Sequence, residues 1–440
     1  MSLPVPTTVL FFDHTAKMGG GEISLFHIVT HLDRARFEPL VVLAEDGVLR
    51  ERLCAVGVET HVFPLAREVT QVRKDDLSGV GALPWRQGAE LVRYAWRLRA
   101  FARRRGAGLI HTNSLKSDLI GALVGRLAGL PVVWHVRDRI ADDYLPSKAT
   151  RAFRIGCRFL PDQIIVNSAA TLEALELPPR KHAHVVHDGL PVPFPRPNPA
   201  HQNNAAPENA SADGDANADA GENAAPVIGL VGRISPWKGQ DVFLRAAAVV
   251  KERYPRARFQ IIGAPLFGEE ELERELRALS AELGLEANVE WLGFRDDVPQ
   301  LLHGLTILAH ASTTGEPFGQ VVVEAMMAAL PLVATRGGGV PEIVREEETG
   351  LLVPMKDAPA MAQALLRLLD DPQWAAKLGQ AGQRRAFEHF TIEGTVLKIS
   401  LVYDEVLRTH RASQSRWRFW LAGAALLVGA WRAWKRAPRA

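Results

Sequence analysis

Cysteine is scarce. The two in this 440-residue chain, Cys54 and Cys157, stand at no pairing or metal-ligand spacing, which argues against a disulfide framework and a cysteine-held metal. The first ten residues lack the basic start and apolar run of a secretion signal, so a reducing, cytoplasmic setting is expected. A run long enough to cross a bilayer is missing as well: the apolar stretch Phe419 to Trp431 has 13 residues, short of the ~18–20 required. Excess positive charge is absent from the body of the chain. The formal charge is +2, and the seven Arg or Lys after residue 410 have no acidic neighbour, leaving −5 for the rest. This balance argues against nucleic acid as a partner. What is present, 47% hydrophobic and 23% charged residues, is the composition of a globular protein of two or three domains.

One segment breaks the globular pattern. Pro195 to Pro226 is mostly Pro, Ala, Asn, Asp and Gly; it cannot bury enough apolar surface to offset the entropy of ordering and reads as a disordered linker. Before it, short apolar runs at Thr8–Phe12, Pro39–Leu43, Gly108–Thr112, Pro131–Val136, Asp162–Val166 and Val185–His187 alternate with helical patterns. After it the alternation restarts at Val227–Val231, Phe259–Ile262, Val289–Leu292, Thr306–Ala309, Leu332–Ala334 and Leu351–Val353. Strand then helix, repeated, predicts parallel sheets with right-handed crossovers. The expected class is therefore α/β, with two doubly wound Rossmann-like domains facing a cleft and ligands at the carboxyl ends of the strands.

Three motifs could carry chemistry. Gly19, Gly20 and Gly21 follow the first strand and open a helix, where backbone N–H groups can approach a phosphate, though a plain tight turn has the same composition. Arg233 and Lys238 leave the first strand after the linker. They supply a planar fork and a compact charge for phosphate oxygens, or are two solvated cations in a Pro-containing turn. Glu316 precedes a helix and Glu324 lies about two turns into it; such carboxylates accept hydrogen bonds from sugar hydroxyls, or belong to structural salt bridges. Glu324, between Val323 and Ala325, needs a donor if buried. Of three histidines near one strand, His182 and His184 share a face and His187 does not, so a metal site there is disfavoured.

Together these residues resemble the GT-B glycosyltransferases of the family 4 type, retaining, metal-independent enzymes that use nucleotide-diphosphate sugars. The similarity extends over nearly all of the chain except the linker and the last 30 residues. Its most specific element is the pair Glu316 and Glu324, separated by seven residues in a Glu-Pro-Phe-Gly context, with Gly338 to Glu342 in support. The resemblance implies catalytic roles for Glu316, at the donor sugar, and for His135, in Trp134 to Asp138 at a strand end. It implies donor-binding roles for Gly19, Gly20, Gly21, Arg233, Lys238, Phe318 and Gly319, and for Glu324 at the ribose. No metal and no cofactor is implied beyond the nucleotide sugar as co-substrate. The expected organisation is an acceptor-side domain at 1–194, the linker at 195–226, a nucleotide-sugar domain at 227–390, a crossover helix at 391–412 and a tail at 413–440. One departure is Asp188-Gly189 where the family commonly has Asn-Gly; the long linker is another.

The implied reaction is sugar transfer to a saccharide or lipid-linked acceptor in cell-surface polysaccharide or lipopolysaccharide synthesis. A nucleotide-sugar epimerase or sugar phosphorylase of the same fold, or a non-catalytic scaffold, are the alternatives, and intact Glu316, Glu324, Arg233 and Lys238 argue against the scaffold. Two features suggest an anionic membrane surface as a partner. A helix over 85–106 pairs an apolar stripe of Leu91, Tyr94, Ala95, Leu98 and Phe101 with a flank of arginines. The tail sets Trp417, Trp420, Trp431 and Trp434 among cations, a pattern suited to the lipid interface. A peripheral position on the inner face of the cytoplasmic membrane is therefore expected.

Overall fold

A computed structural model describes residues 5–65, 85–141, 145–179, 182–192, 225–266 and 268–410. All but the last two residues of the expected linker, and the whole tail 413–440, lie outside them.

The first sheet has seven parallel strands in the order β3-β2-β1-β4-β5-β6-β7. These are β1 (Thr7–Asp13), β2 (Phe37–Leu43), β3 (Glu59–Val62), β4 (Ala107–Thr112), β5 (Val132–Val136), β6 (Gln163–Val166) and β7 (Ala183–Val185). The second has six, in the order β10-β9-β8-β11-β12-β13, formed by β8 (Val227–Val231), β9 (Arg258–Ile262), β10 (Val289–Gly293), β11 (Ile307–His310), β12 (Leu332–Thr335) and β13 (Leu351–Val353). In both sheets the order reverses beside the first strand, between β1 and β4 and between β8 and β11. Loops leaving those strands diverge there and open a crevice, which makes the two switch points the natural ligand sites.

The central strands are continuous apolar runs because helices cover both faces. Two clusters, one containing Leu10, Phe12 and Trp134 and the other Val9, Phe11 and Val133, pack on opposite faces of the first sheet. β3 escapes the sequence reading because Glu-Thr-His-Val at the sheet edge carries no apolar run. The strand expected at Val185–His187 is instead Ala183–Val185, since His187 to Gly189 turn toward the second domain.

The chain returns through a helix over 392–410. Ile392, Val396, Ile399, Val402, Tyr403 and Val406 recur at helical spacing and bury themselves, each at most 5% exposed, in the first domain's core. The crossing is a tight splice: Leu190 N–H donates to Phe390 O at 3.0 Å and Ile392 N–H to Leu190 O at 2.9 Å. Gly189 is needed there, because a Cβ at this position would lie 2.2 Å from Thr391 O and 2.5 Å from Thr395 Oγ1. We expect Gly189→Ala to force the returning helix away and to destabilise the protein by about 1–3 kcal/mol, the scale of core overpacking, measured as a lowered melting temperature with both substrates absent.

Candidate active site

On the first domain the site begins where β1 ends. Gly19 caps helix α1 (Gly20–His31), and its N–H donates to the Glu22 carboxyl at 3.0 Å. Gly21 leaves room for Arg137, whose Cδ would lie 3.4 Å from an added Cβ, and Gly20 for Gln320 of the second domain at 3.6 Å. The three glycines thus lie at the meeting of the two domains. Burial, reinforced by the nearby Asp13 carboxylate, pushes Glu22 up to about 8. Burial acts on Asp13 in the same direction, but donors from His14, Asn113 and Ser114 outweigh it and hold that group below the ordinary range.

Arg137 is the hub of this side. Its Nε donates to Asn113 Oδ1 at 2.7 Å, its Nη2 to His135 Nδ1 at 3.2 Å, and its Nη1 pairs with Asp188, which also accepts from Ser24. The departure to Asp188 is thereby explained: a carboxylate suits a position that faces a buried guanidinium. His135 is fully buried and its Nδ1 also contacts His111 Nε2 at 3.2 Å; His111 Nδ1 in turn meets the Tyr403 hydroxyl at 2.8 Å. Burial first, then the Arg137 charge, keeps both histidines neutral, His111 near 3 and His135 well below its usual value. Because guanidinium donates to His135 Nδ1, the ring proton resides on Nε2, a buried atom that has no partner among the described residues.

The second domain contributes the loops after β8 and β11. Arg233 stacks on Trp237, 4.8 Å from the ring centroid. Burial lowers its pKa, against the pull of Glu269, Glu22, Glu316 and Asp138, two of which lie across the cleft. Lys238 Nζ binds Glu316 Oε1 at 2.7 Å, while Ser312 Oγ donates to Glu316 Oε2 at 2.6 Å and His310 Nε2 stands 3.4 Å from the same oxygen. Burial would raise Glu316, yet Lys238 and His310 hold it well below the usual carboxylate range. Gly338, with φ 61°, lies so close that a Cβ would overlap Glu316 O, and the Gly339 N–H donates to that oxygen at 2.8 Å. Phe318 is buried and Gly319 caps helix α10 (Gln320–Met327). Glu324 is therefore one turn into this helix, not two, because Pro317, Phe318 and Gly319 stay outside it.

The structure brings Glu316, Lys238, Arg233 and the glycine loop to one cleft and leaves His135 beneath it. The metal reading of the histidines separates: His182 and His184 approach Glu405 at 3.7 and 3.8 Å, while His187 meets Glu342 at 3.0 Å. Among the described residues no group of three or more His, Cys, Asp or Glu could hold a metal. Sequence reasoning missed Asp13, Asn113, Arg137, His310 and Ser312. Of these, Ala-His-Ala-Ser at 309–312 was the readable signal, polar residues interrupting an apolar strand at its carboxyl end.

Glu324 accepts from the Gln320 amide at 3.3 Å, and burial pushes it up to about 7 from 4.5. The unfolded carboxyl loses its proton first, so stability drains away as pH rises between those values and stays low above them. Glu324→Gln should remove this dependence and stabilise the ligand-free protein at pH 8 by up to ~3 kcal/mol, seen as a raised melting temperature. A thermal scan from pH 4.5 to 8 checks it; a wild-type-like profile would mean Glu324 is ionised in the folded protein.

Comparison with known proteins places this geometry. Residues 19–192 match the family described as Glycosyl transferase 4-like domain, and residues 216–385 that described as Glycosyl transferases group 1. The D-inositol 3-phosphate glycosyltransferase of Corynebacterium efficiens is 33% identical over 204 residues, 44% of this chain and 47% of that protein, so the chain matches about half the length of such curated relatives. The protein of the same name from Streptomyces coelicolor is 28% identical over 325 residues, 69% of this chain and 70% of its own. Among solved structures, Anabaena HepE in complex with UDP and glucose superposes with a TM-score of 0.74 at 26% identity, covering 90% of this chain and 99% of that one. Sucrose-phosphate synthase from Thermosynechococcus elongatus shares the fold, at 20% identity and a TM-score of 0.71. With both halves matched and the two facing sheets in place, the chain belongs to the GT-B glycosyltransferases of the family 4 type.

Proposed function

We propose that the protein is a retaining glycosyltransferase that moves a sugar from a nucleotide-diphosphate donor to a saccharide or lipid-linked acceptor, in cell-surface polysaccharide or lipopolysaccharide synthesis. The observation that carries this reading is the grouping of Arg233, Lys238 and Glu316 at the second switch point, opposite the glycine loop of the first. Breaking the bond between an anomeric carbon and a diphosphate builds positive charge on the sugar and negative charge on the departing phosphate. Preorganised cations stabilise that phosphate with no reorganisation at the moment of reaction. The acceptor oxygen bonds to the anomeric carbon, and its proton leaves on the diphosphate. Glu316, held ionised, lies where it can contact the sugar, and Glu324 serves the ribose hydroxyls. Retention follows the family resemblance.

HepE binds UDP and UDP-glucose, which makes UDP-sugars the first donors to test. Binding to an anionic membrane surface is part of the same proposal. In helix α3 (Trp85–Arg104), Arg93 and Arg97 stand exposed with Trp96 while Tyr94, Ala95 and Leu98 face the core, so a cationic flank is available. No helix among the described residues is long and apolar enough to cross a membrane. No metal enters the proposed mechanism.

Arg233→Ala and Lys238→Ala should each lower turnover by about 10²-fold or more, the cost of removing one charge-stabilising group; the melting temperature should be preserved in Arg233→Ala and lowered in Lys238→Ala, which leaves the buried Glu316 carboxylate without its cation. Donor turnover over UDP-, GDP- and ADP-sugars, with and without EDTA, is the measurement. Transfer at the wild-type rate by either variant would remove that residue from the diphosphate site, and loss of activity in EDTA with rescue by Mg²⁺ would refute the metal-free mechanism.

A further inference from the structure

Glu342, in the run Gly338 to Glu342, and His187 remain unused by the proposed reaction, yet they meet at a contact between the two domains. Glu342 belongs to the second domain, at the start of the short helix α11 (Val340–Ile343). Its carboxylate takes three donors from the first. Ala169 N–H reaches Oε2 at 2.9 Å, Ala170 N–H reaches Oε1 at 3.0 Å, and His187 Nε2 reaches Oε2 at 3.0 Å. A carboxylate accepts only, so the His187 proton is on Nε2. Burial would raise Glu342, but these three donors outweigh it and keep the group below its ordinary value.

A second set of contacts runs alongside. Ser168 Oγ donates to Pro317 O at 2.5 Å, with Thr171 Oγ1 3.2 Å from the same carbonyl, and the His187 ring stacks on Phe318 at 5.7 Å between centroids. Pro317 and Phe318 directly follow Glu316, and the Glu316 carbonyl is itself bound by Gly339, three residues before Glu342. The first domain therefore grips both strands of backbone that hold the Glu316 carboxylate. None of these groups is near the Arg233 side of the donor site in sequence, and none contacts Lys238.

We infer that Glu342, Ser168 and His187 form a closure clamp: docking residues 168–170 and His187 of the first domain on Glu342 and Pro317 sets the backbone of the Glu316 loop, making these three positioning residues for the transfer step. The inference rests on the proposed reaction for its kinetic consequence, while the clamp itself is a statement about domain closure. Charge-assisted bonds to a carboxylate are the stronger kind, and a misplacement of about 1 Å in a reacting group is enough to cost ~10²-fold in rate.

The test uses the full chain, with UDP and UDP-glucose as probes. Glu342→Gln keeps the size of the side chain but sets an amide against donors, and Ser168→Ala removes the bond to Pro317 O, together with the Ser168 bonds to Thr171 N–H and Thr171 Oγ1 that cap the helix Ala169–Ala174, with no volume added. Each should lower kcat at least tenfold while the Kd for UDP, measured by calorimetry, changes by less than about threefold. Small-angle scattering with UDP bound should show a broader, more open distance distribution for Glu342→Gln than for the wild type. Glu342→Asp, which keeps the charge on a shorter arm, should recover part of kcat. Wild-type kcat in both variants would overturn the clamp, as would a loss of UDP affinity equal to the loss of kcat, which would signal general damage to the donor site. If Glu342→Gln fails to fold, Ser168→Ala decides the matter alone. If UDP does not bind the wild type, the donor assignment fails; a scattering difference between the ligand-free proteins still supports the clamp, and its absence there refutes it.

Discussion

The ion pair between Lys238 and Glu316 is the constraint on which the second domain's half of the cleft depends. Two charges at 2.7 Å, with side chains 20% and 16% exposed, hold each other only if their remaining bonding capacity is met, since removing charges from water costs several kcal/mol per ion. Ser312 and His310 meet it on the Glu316 side. The loop after β8 is thereby tied to the loop after β11 across the switch point, and the approach of Gly338 fixes the Glu316 backbone from below. The loops after β8 and β11 thus meet on one carboxylate, and a third stretch, Gly338 and Gly339, holds the backbone that carries it.

The first domain has its counterpart in Arg137. A buried guanidinium carries five donors in a rigid fork, and here Asn113, His135 and Asp188 accept from it. Asn113 follows β4, His135 lies in the adjacent β5, and Asp188 lies at the splice where the chain crosses to the second domain. The crossing and the glycine loop are thus referenced to the same side chain, because Asn113 also donates to Gly21 O at 3.1 Å. Tyr403, through His111 and His135, extends this hydrogen-bonded chain into the returning helix.

How much of this was legible in the sequence follows from the range of each interaction. The central strands and the helix at 85–104 were readable because burial on both faces, or on one stripe, writes a local period into the residues. The edge strand β3 was not, since its side chains are mostly polar and its pairing with β2 supplies the order. Glu316 and Glu324 were readable as a spaced pair in a distinctive tetrapeptide context. The ion pair with Lys238, 78 residues away, and the network of Asp13, Asn113, Arg137 and Asp188 were not. Their members are brought together by strand order, which has no short-range trace. His135 shows the converse: a histidine at a strand end has the sequence of a cleft residue, but the alternation of side chains across β5 puts it on the face covered by the returning helix.

The carboxyl groups of the cleft show how position divides one chemistry into different charges. Glu316, with a cation and a hydroxyl donor, stays ionised; Glu22 and Glu324 are pushed up to about 8 and about 7 by burial. Were all three ionised, they would outnumber Arg233 and Lys238 and repel a diphosphate. With Glu22 protonated near neutral pH and Glu324 partly so, Glu316, Glu269 and Asp138 remain as the carboxylates whose charge acts on Arg233. Protonated, the same two carboxyls can also donate hydrogen bonds, which an ionised carboxylate cannot. Burial around them is therefore part of the site's electrostatics: by desolvating two acids it lowers the negative charge that faces Arg233 and Lys238.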